Sequence, residues 1–226
     1  MSFLPLPFGS VVGALLVAFP ALFSIVNPLG GAIIFSHITG DRSHAERAQL
    51  ARRIGLYALS VLLVSLWFGG YVLNFFGITL GALRVAGGLV VAFSAWRLLM
   101  TPEQEEERKG RQADATDLED IAFFPLTMPL TTGPGTIAVA IALASLRPES
   151  GVGTIEFFVG LSLAAVAIAM LVWLAYHWAD RVIERLGTRG TRNFSRIMAF
   201  LLLCIGVQIV CTGLQNILQP IVGHGN

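Results

Sequence analysis

Residues 19–35 read FPALFSIVNPLGGAIIF, an apolar stretch interrupted at its centre by Asn27, Pro28 and a pair of glycines. Residues 124–140 read FPLTMPLTTGPGTIAVA, with proline and glycine at nearly the same places 105 positions later. Proline has no N–H, and its ring crowds the carbonyl four residues earlier, so we expect each stretch to be a broken helix. These two stretches decide the fold because one repeats the other.

The composition is that of a membrane protein. The 226 residues are 55% hydrophobic and 13% charged, with a mean hydropathy of +0.74, whereas soluble domains contain about 25% charged residues. A membrane-spanning helix needs about 20 mostly apolar residues. Six segments meet this length: 11–36, 54–77, 79–100, 122–146, 153–178 and 197–222. The first has no positively charged residues before it and is read as a retained span rather than a signal peptide. The sequence therefore predicts an all-α membrane protein with six transmembrane helices.

The chain divides into two similar halves. Phe19 aligns with Phe124 and Gly30 with Gly135 at the offset of 105, and a weaker match relates Arg84 in span three to Arg196 in span six. The halves are residues 1–100 and 122–226, and residues 101–121 join them. Each half has three spans, an odd number, so the second half must enter the membrane from the opposite side. This is an inverted repeat, a layout common among secondary transporters, with broken helices 1 and 4 expected to meet near the membrane midplane.

The arginines predict the orientation. The loops after spans one, three and five carry 13 of the 15 Lys and Arg residues. The positive-inside rule places these loops in the cytoplasm and both termini outside. The loop at 101–121 also holds eight Asp and Glu residues. Few apolar residues interrupt that run, which is typical of a solvated linker, and a regulatory or partner-binding role is the alternative.

The two breaks predict a binding site. Each would begin a new helix near the midplane, with unpaired N–H groups around Gly30 and Gly31 and around Gly135 and Thr136. Helix N-termini carry partial positive charge and bind anions or carboxylates. The candidate substrate-binding residues are Ser24, Asn27, Pro28, Gly30, Gly31, Thr127, Thr131, Thr132, Gly133, Pro134, Gly135 and Thr136. For the hydroxyls the alternative is ordinary hydrogen bonding between helices, and a single proline is often only a kink.

Several functions are argued against. The 14 Asp and Glu residues fall in loops or at span ends, which disfavours a cation pump or metal carrier with buried carboxylates. No Gly-x-Ser-x-Gly, His-Glu-x-x-His or Walker motif occurs, so we expect neither an enzyme nor a cofactor or metal site. A nucleic-acid partner is not expected, because no basic cluster with interleaved aromatics is present.

The paired motifs FP…NPLGG and PLTTGPGTIA resemble the MarC (UPF0056-type) family of six-span bacterial membrane proteins. The segments RVAGG and RIMAF in spans three and six extend the resemblance over nearly the whole chain. The resemblance implies a bacterial or archaeal plasma (inner) membrane protein that moves a small solute, since the family includes proteins assigned as transporters of small neutral amino acids such as glycine and alanine. Its central motifs fall on Asn27, Pro28 and Gly30 and on the segment 132–135.

We therefore expect secondary transport of a small neutral amino acid by alternating access, with a small zwitterion and the lipid bilayer as partners. Two other functions stay open at this point. One is efflux of larger amphipathic compounds or antibiotics, and the other is a scaffold or sensor that transports nothing. The sequence leaves the oligomeric state, the coupling ion and the direction of transport open.

Overall fold

The computed structural model describes residues 10–40, 42–100, 122–148 and 153–222. Within these ranges the regular structure is entirely helical. The elements are α1 (Val11–Val26), α2 (Pro28–Ile38), α3 (His44–Phe76), α4 (Leu80–Met100), the π-helix π1 (Ala122–Thr131), α5 (Pro134–Ala144), α6 (Thr154–His177) and α7 (Ala179–Val222). The acidic linker at 101–121, including its boundaries, lies outside the described residues.

Five helical stretches in the described residues are long and apolar enough to cross a membrane. They are Val11–Ser36, His44–Phe76, Leu80–Arg97, Thr154–His177 and Arg196–Gln219. The fourth segment, predicted as a broken span over 122–146, consists of the ten-residue π1 followed by the 11-residue α5, and for that reason it is not among the five long helical stretches. Pro125, Pro129 and Pro134 each remove a backbone donor from this segment, which explains why a continuous α-helix does not form.

Local sequence explains where the helices begin and end. α3 begins with a capping box, in which the Ser43 N–H donates to Glu46 Oε2 at 2.9 Å and Ser43 Oγ accepts from the Glu46 N–H at 3.4 Å. It ends at Gly77, whose φ of 64° is a left-handed conformation that glycine adopts without steric cost. At the first helix, Ser10 Oγ accepts from the Gly13 N–H at 3.1 Å.

Glycines allow α4 and α7 to pack closely. Gly81 lies against Gly213 and Ile217, whereas Gly88 lies against Gly206 and Val210, so the two helices run antiparallel. A Cβ atom added at Gly88 would come within 2.8 Å of the Gly206 carbonyl oxygen. Small residues of this kind bring backbones together where no hydrophobic effect drives association.

The most extensive helix contacts join the two halves of the chain. α4 packs mainly on α7, α1 and α3 pack on α6, and α4 and α3 also pack on α5. The buried core contains Leu22 of α1, Leu62 of α3 and Ile168 of α6. Large apolar side chains cover the outside, such as Phe75, which is 84% exposed, and Tyr71, which is 70% exposed. An apolar exterior of this extent is expected of a surface that faces lipid.

Candidate functional site

The first helix break is a single residue. Asn27 has φ 46° and ψ 64°, and it is the one described residue other than glycine with a positive φ. Asparagine tolerates this left-handed conformation because its short side chain makes local hydrogen bonds. Its N–H donates to the Phe23 carbonyl at 2.9 Å and ends α1, and its own carbonyl accepts from the Gly31 N–H at 2.9 Å and begins α2.

The N-terminus of α2 is already capped, which corrects one prediction. We expected unpaired N–H groups at Gly30 and Gly31, but the Gly30 N–H donates to Asn27 Oδ1 at 3.2 Å and the Gly31 N–H donates to the Asn27 carbonyl. The Gly30 bond forms because an asparagine at the N-cap reaches the first turn with its side chain, and the Gly31 bond is the first regular backbone bond of the α-helix. Asn27 therefore occupies the positions that we expected a ligand to occupy at this helix.

The N-terminus of α5, at the second break, has no side-chain cap of the kind that Asn27 provides for α2. Gly133 is extended, with φ −80° and ψ −178°, and no side chain caps α5. The first backbone bond of this helix runs from the Ile137 N–H to the Gly133 carbonyl at 3.1 Å. Within the described chain, the N–H groups of Gly135 and Thr136 donate to no residue ahead of the helix. The N-terminus of α5 thus keeps donors for a ligand.

The threonines before the second break bond to π1 itself. Thr127 Oγ1 donates to the Ala122 carbonyl at 2.6 Å and Thr131 Oγ1 to the Leu126 carbonyl at 2.7 Å. Thr132, at the position equivalent to Asn27, donates to the Thr127 carbonyl instead of capping α5. These bonds span five residues, as π-helical geometry requires, and π-helical turns occur frequently at functional sites.

One cavity of about 240 Å³ joins the two breaks. From the first break it is lined by Asn27, Gly30 and Gly31, and from the second by Thr131, Gly133, Pro134, Gly135 and Thr136. The rest of its wall is Ser94 and the apolar residues Ile25, Val26, Ile34, Ile38, Val90, Val91, Met198, Ala199 and Leu202. No charged side chain lines this central cavity among the described residues, so it offers helix ends, hydroxyls and an amide rather than formal charge.

Four of the twelve predicted substrate-binding residues do not line the central cavity. Ser24 is exposed on α1, and Pro28, Thr127 and Thr132 are buried, but none of the four lines the central cavity. The two buried threonines bond to backbone carbonyls five residues earlier in the chain, and not between helices as the alternative for the hydroxyls stated.

Sequence reasoning missed Tyr176. Its hydroxyl lies 2.8 Å from Thr131 Oγ1, and its ring stacks on Phe35 with the centroids 4.9 Å apart. The side chain is buried, and a Cβ atom added at Gly31 would meet its hydroxyl. A tyrosine inside an apolar span was the available signal, because a buried phenol usually finds a hydrogen-bond partner. Ser94 was also missed, and a lone hydroxyl in span three gave little signal.

Known proteins resemble this chain over most of its length. The model of the family described as MarC family integral membrane protein matches residues 12–218. A relative from Escherichia coli O1:K1 / APEC, named UPF0056 inner membrane protein MarC, is 33% identical over 204 residues, covering 88% of this chain and 92% of its own. A protein of the same name from Salmonella typhimurium (strain LT2) is 33% identical over 208 residues with the same coverage. No solved structure matches the chain.

Proposed function

Because this chain belongs to the MarC family of integral membrane proteins, we propose that it is an inner-membrane secondary transporter of small neutral amino acids such as glycine or alanine. The observation that carries the proposal is the central cavity, whose wall contains both helix breaks. A helix broken at membrane depth is tolerated only against protein or a water-filled cavity. Transporters use such breaks to bind their substrates.

The chemistry of the wall favours a zwitterion. The Gly135 and Thr136 N–H groups at the open end of α5 suit a carboxylate, since a helix N-terminus offers donors and partial positive charge. Asn27 Oδ1 and Thr131 Oγ1 are acceptors for an ammonium group. No charged side chain of the described chain lines the cavity, so a ligand with net charge would be buried without a counter-ion, which is costly.

The size of the cavity favours a small substrate. Its volume of about 240 Å³ is below the range of about 300–1,000 Å³ that is usual for drug-sized ligands. Efflux of larger amphipathic compounds, the alternative drawn from the sequence, would need a wider cavity than this one.

The packing of the helices supports alternating access. In this proposal six spans form two inverted halves, with the fourth span made of π1 and α5. The most extensive contacts run between the halves, and the central cavity lies between them. Since each packed group combines helices of both halves, rocking of the α4–α7 pair against the group of α1, α3 and α6 would expose the cavity to each side in turn. The arginine-rich loops would face the cytoplasm and both termini the outside, and the substrate would cross unchanged.

Counterflow in proteoliposomes tests the proposal. Vesicles loaded with unlabelled glycine or alanine should take up the labelled amino acid when wild-type protein is present. Asn27→Ala should abolish or strongly reduce this exchange, because the amide lines the cavity and caps α2. Gly70→Ala is the matched control, since a methyl group at Gly70 would meet nothing within 4 Å. Absence of exchange in folded wild-type protein, for every small neutral amino acid tried, would overturn the proposal.

A further inference from the structure

A second cavity adjoins the central one. It has a volume of about 200 Å³, and its lining includes His44, Arg47, His177 and Arg181 together with Tyr176. We call it the basic pocket. It lies where α3 begins, where α6 ends and where α7 begins. Its lining is cationic, in contrast to the uncharged wall of the central cavity.

Tyr176 lies next to both cavities. Its side chain lines the basic pocket, and its hydroxyl bonds to Thr131, which lines the central cavity. A Cβ atom added at Gly31, another residue of the central cavity, would meet the same hydroxyl. The stacked ring of Phe35 supports the phenol from the side, and the Arg47 guanidinium lies 5.9 Å from the centre of that ring. Tyr176 therefore links the lining of the basic pocket to the lining of the central cavity.

The walls of the central cavity differ in polarity. Away from the breaks, α2, α4 and α7 contribute mostly isoleucine, valine, leucine and methionine. Such a wall opposes the passage of an ammonium or a carboxylate, since an unpaired charge in apolar surroundings is costly. Thr131 and Gly31, in the polar part of the wall, lie next to Tyr176. A polar route from the central cavity to the basic pocket therefore leads past the phenol.

We propose that the Tyr176 phenol is the gate between the central cavity and the basic pocket, and that the substrate carboxylate enters or leaves through this pocket. In the structure the gate is closed by the hydrogen bond to Thr131. It opens when that bond breaks and the ring turns away from Gly31. The cations of the pocket favour a ligand that carries a carboxylate. The substrate part of this inference depends on the proposed transport function, whereas the gate itself does not.

Thiol accessibility tests the gate without any substrate. Cys204 and Cys211 are exposed on α7 and are first replaced by serine. Thr136→Cys then places a nearly isosteric reporter in the wall of the central cavity, where Thr136 is 3% exposed. A membrane-impermeant methanethiosulfonate reagent is added to each side of proteoliposomes of known orientation, and the rate of modification is measured in the full-length protein.

Tyr176→Phe should raise the modification rate about threefold from the side of the basic pocket, the effect expected for loss of an average hydrogen bond between membrane helices. Tyr176→Ala should raise it further, because the ring is lost as well. Ser162→Ala is the control, since it removes a different hydrogen bond of α6, the one that Ser162 Oγ accepts from Trp67 Nε1 at 3.1 Å. It should leave the rate unchanged.

Unchanged rates in both Tyr176 variants would overturn the gate, as would equal increases from both sides. Thr131→Val removes the same bond from the other partner and must act in the same direction as Tyr176→Phe, so the test stands even if one variant fails to fold. An open gate combined with an absence of amino-acid counterflow would contradict the proposed transport function alone. Counterflow with unchanged thiol rates would contradict the gate alone.

Discussion

Asn27 Oδ1 lies 3.2 Å from the backbone nitrogen of Gly30 and accepts its hydrogen bond. The residue that ends α1 therefore also caps α2. A ligand at this helix end would have to compete with a tethered amide, whereas the end of α5 has no competing side chain. This difference between two otherwise matching breaks is the reason for proposing Gly135 and Thr136 as the donors to the substrate carboxylate.

Substitution of Asn27 should lower stability in a defined order. Asn27→Ala should cost about 2 kcal/mol, of which about 1 is the lost cap and about 1 is the left-handed backbone that alanine disfavours. Asn27→Gly should cost only a few tenths of a kcal/mol, because glycine accepts the φ of 46° and is a moderate cap. Thermal unfolding in detergent measures the order, and an alanine variant as stable as the glycine variant would contradict the assigned backbone conformation.

Gly31→Ala should destabilise the protein by about 1–3 kcal/mol, the usual range for overpacking. Its methyl group would meet the hydroxyl of Tyr176. The double variant Gly31→Ala/Tyr176→Phe should recover part of the loss, since the obstructing hydroxyl is gone. Gly70→Ala serves as the control, because no atom lies within 4 Å of its added methyl group. Equal thermal midpoints for the two single alanine variants would show that Gly31 does not contact Tyr176.

The breaks were predictable because they arise from covalent chemistry. Proline alone does not end a helix here, since Pro20 lies inside α1. A residue that can act as an N-cap directly before proline does, and the structure begins α2 and α5 at Pro28 and Pro134, after Asn27 and Gly133. The capping box at Ser43 is local in the same way. Helix caps and helix breaks depend on residues adjacent in the chain, so they can be derived from the sequence of a single segment. The helical class of the fold could be predicted for the same reason.

The remaining features depend on partners distant in sequence. The hydrogen bond between Thr131 and Tyr176 joins residues 45 positions apart, and nothing in the sequence around either residue predicts it. The π-helical form of residues 122–131 reflects three threonine hydroxyls that bond five residues back, a choice that sequence alone does not separate from an α-helix. Asn27 followed by Pro28 is a helix-start signature, but the sequence does not decide whether the amide of Asn27 bonds to the Gly30 N–H or to a ligand.

Gly135→Ala should loosen the packing of α5 on α4. A Cβ atom at this position would meet Cγ2 of Val91, so we expect a loss of about 1–3 kcal/mol in unfolding free energy. Val91→Ala in the same chain should restore much of that loss by making room. Val90→Ala is the matched control, since Val90 is adjacent to Val91 in the chain and is not among the atoms nearest to the added Cβ. If both valine substitutions rescue equally, the contact is not the cause.

Thr127 should stabilise π1 through its hydroxyl. Thr127→Val keeps the shape but removes the donor to the Ala122 carbonyl at 2.6 Å, and it should cost about 0.6–1.7 kcal/mol, the range measured between membrane helices. Thr127→Ser should cost less, because the donor is kept. Thr212→Val removes a comparable bond within α7, where the α-helix has its own backbone bonds, and should have little effect on thermal unfolding. An equally large effect at Thr212 would argue against a special role for the hydroxyl in π1.

Substrate analogues should distinguish the contribution of the carboxylate to binding from that of the ammonium group. Glycinamide keeps the ammonium group of glycine but replaces its carboxylate with a neutral amide, which gains much less from the partial positive charge at Gly135 and Thr136. We therefore expect excess unlabelled alanine to inhibit glycine counterflow and glycinamide to inhibit it weakly. Phenylalanine should also inhibit weakly, because the central cavity of about 240 Å³ leaves little room for an aromatic side chain. Inhibition by glycinamide equal to that by alanine would place the carboxylate away from α5.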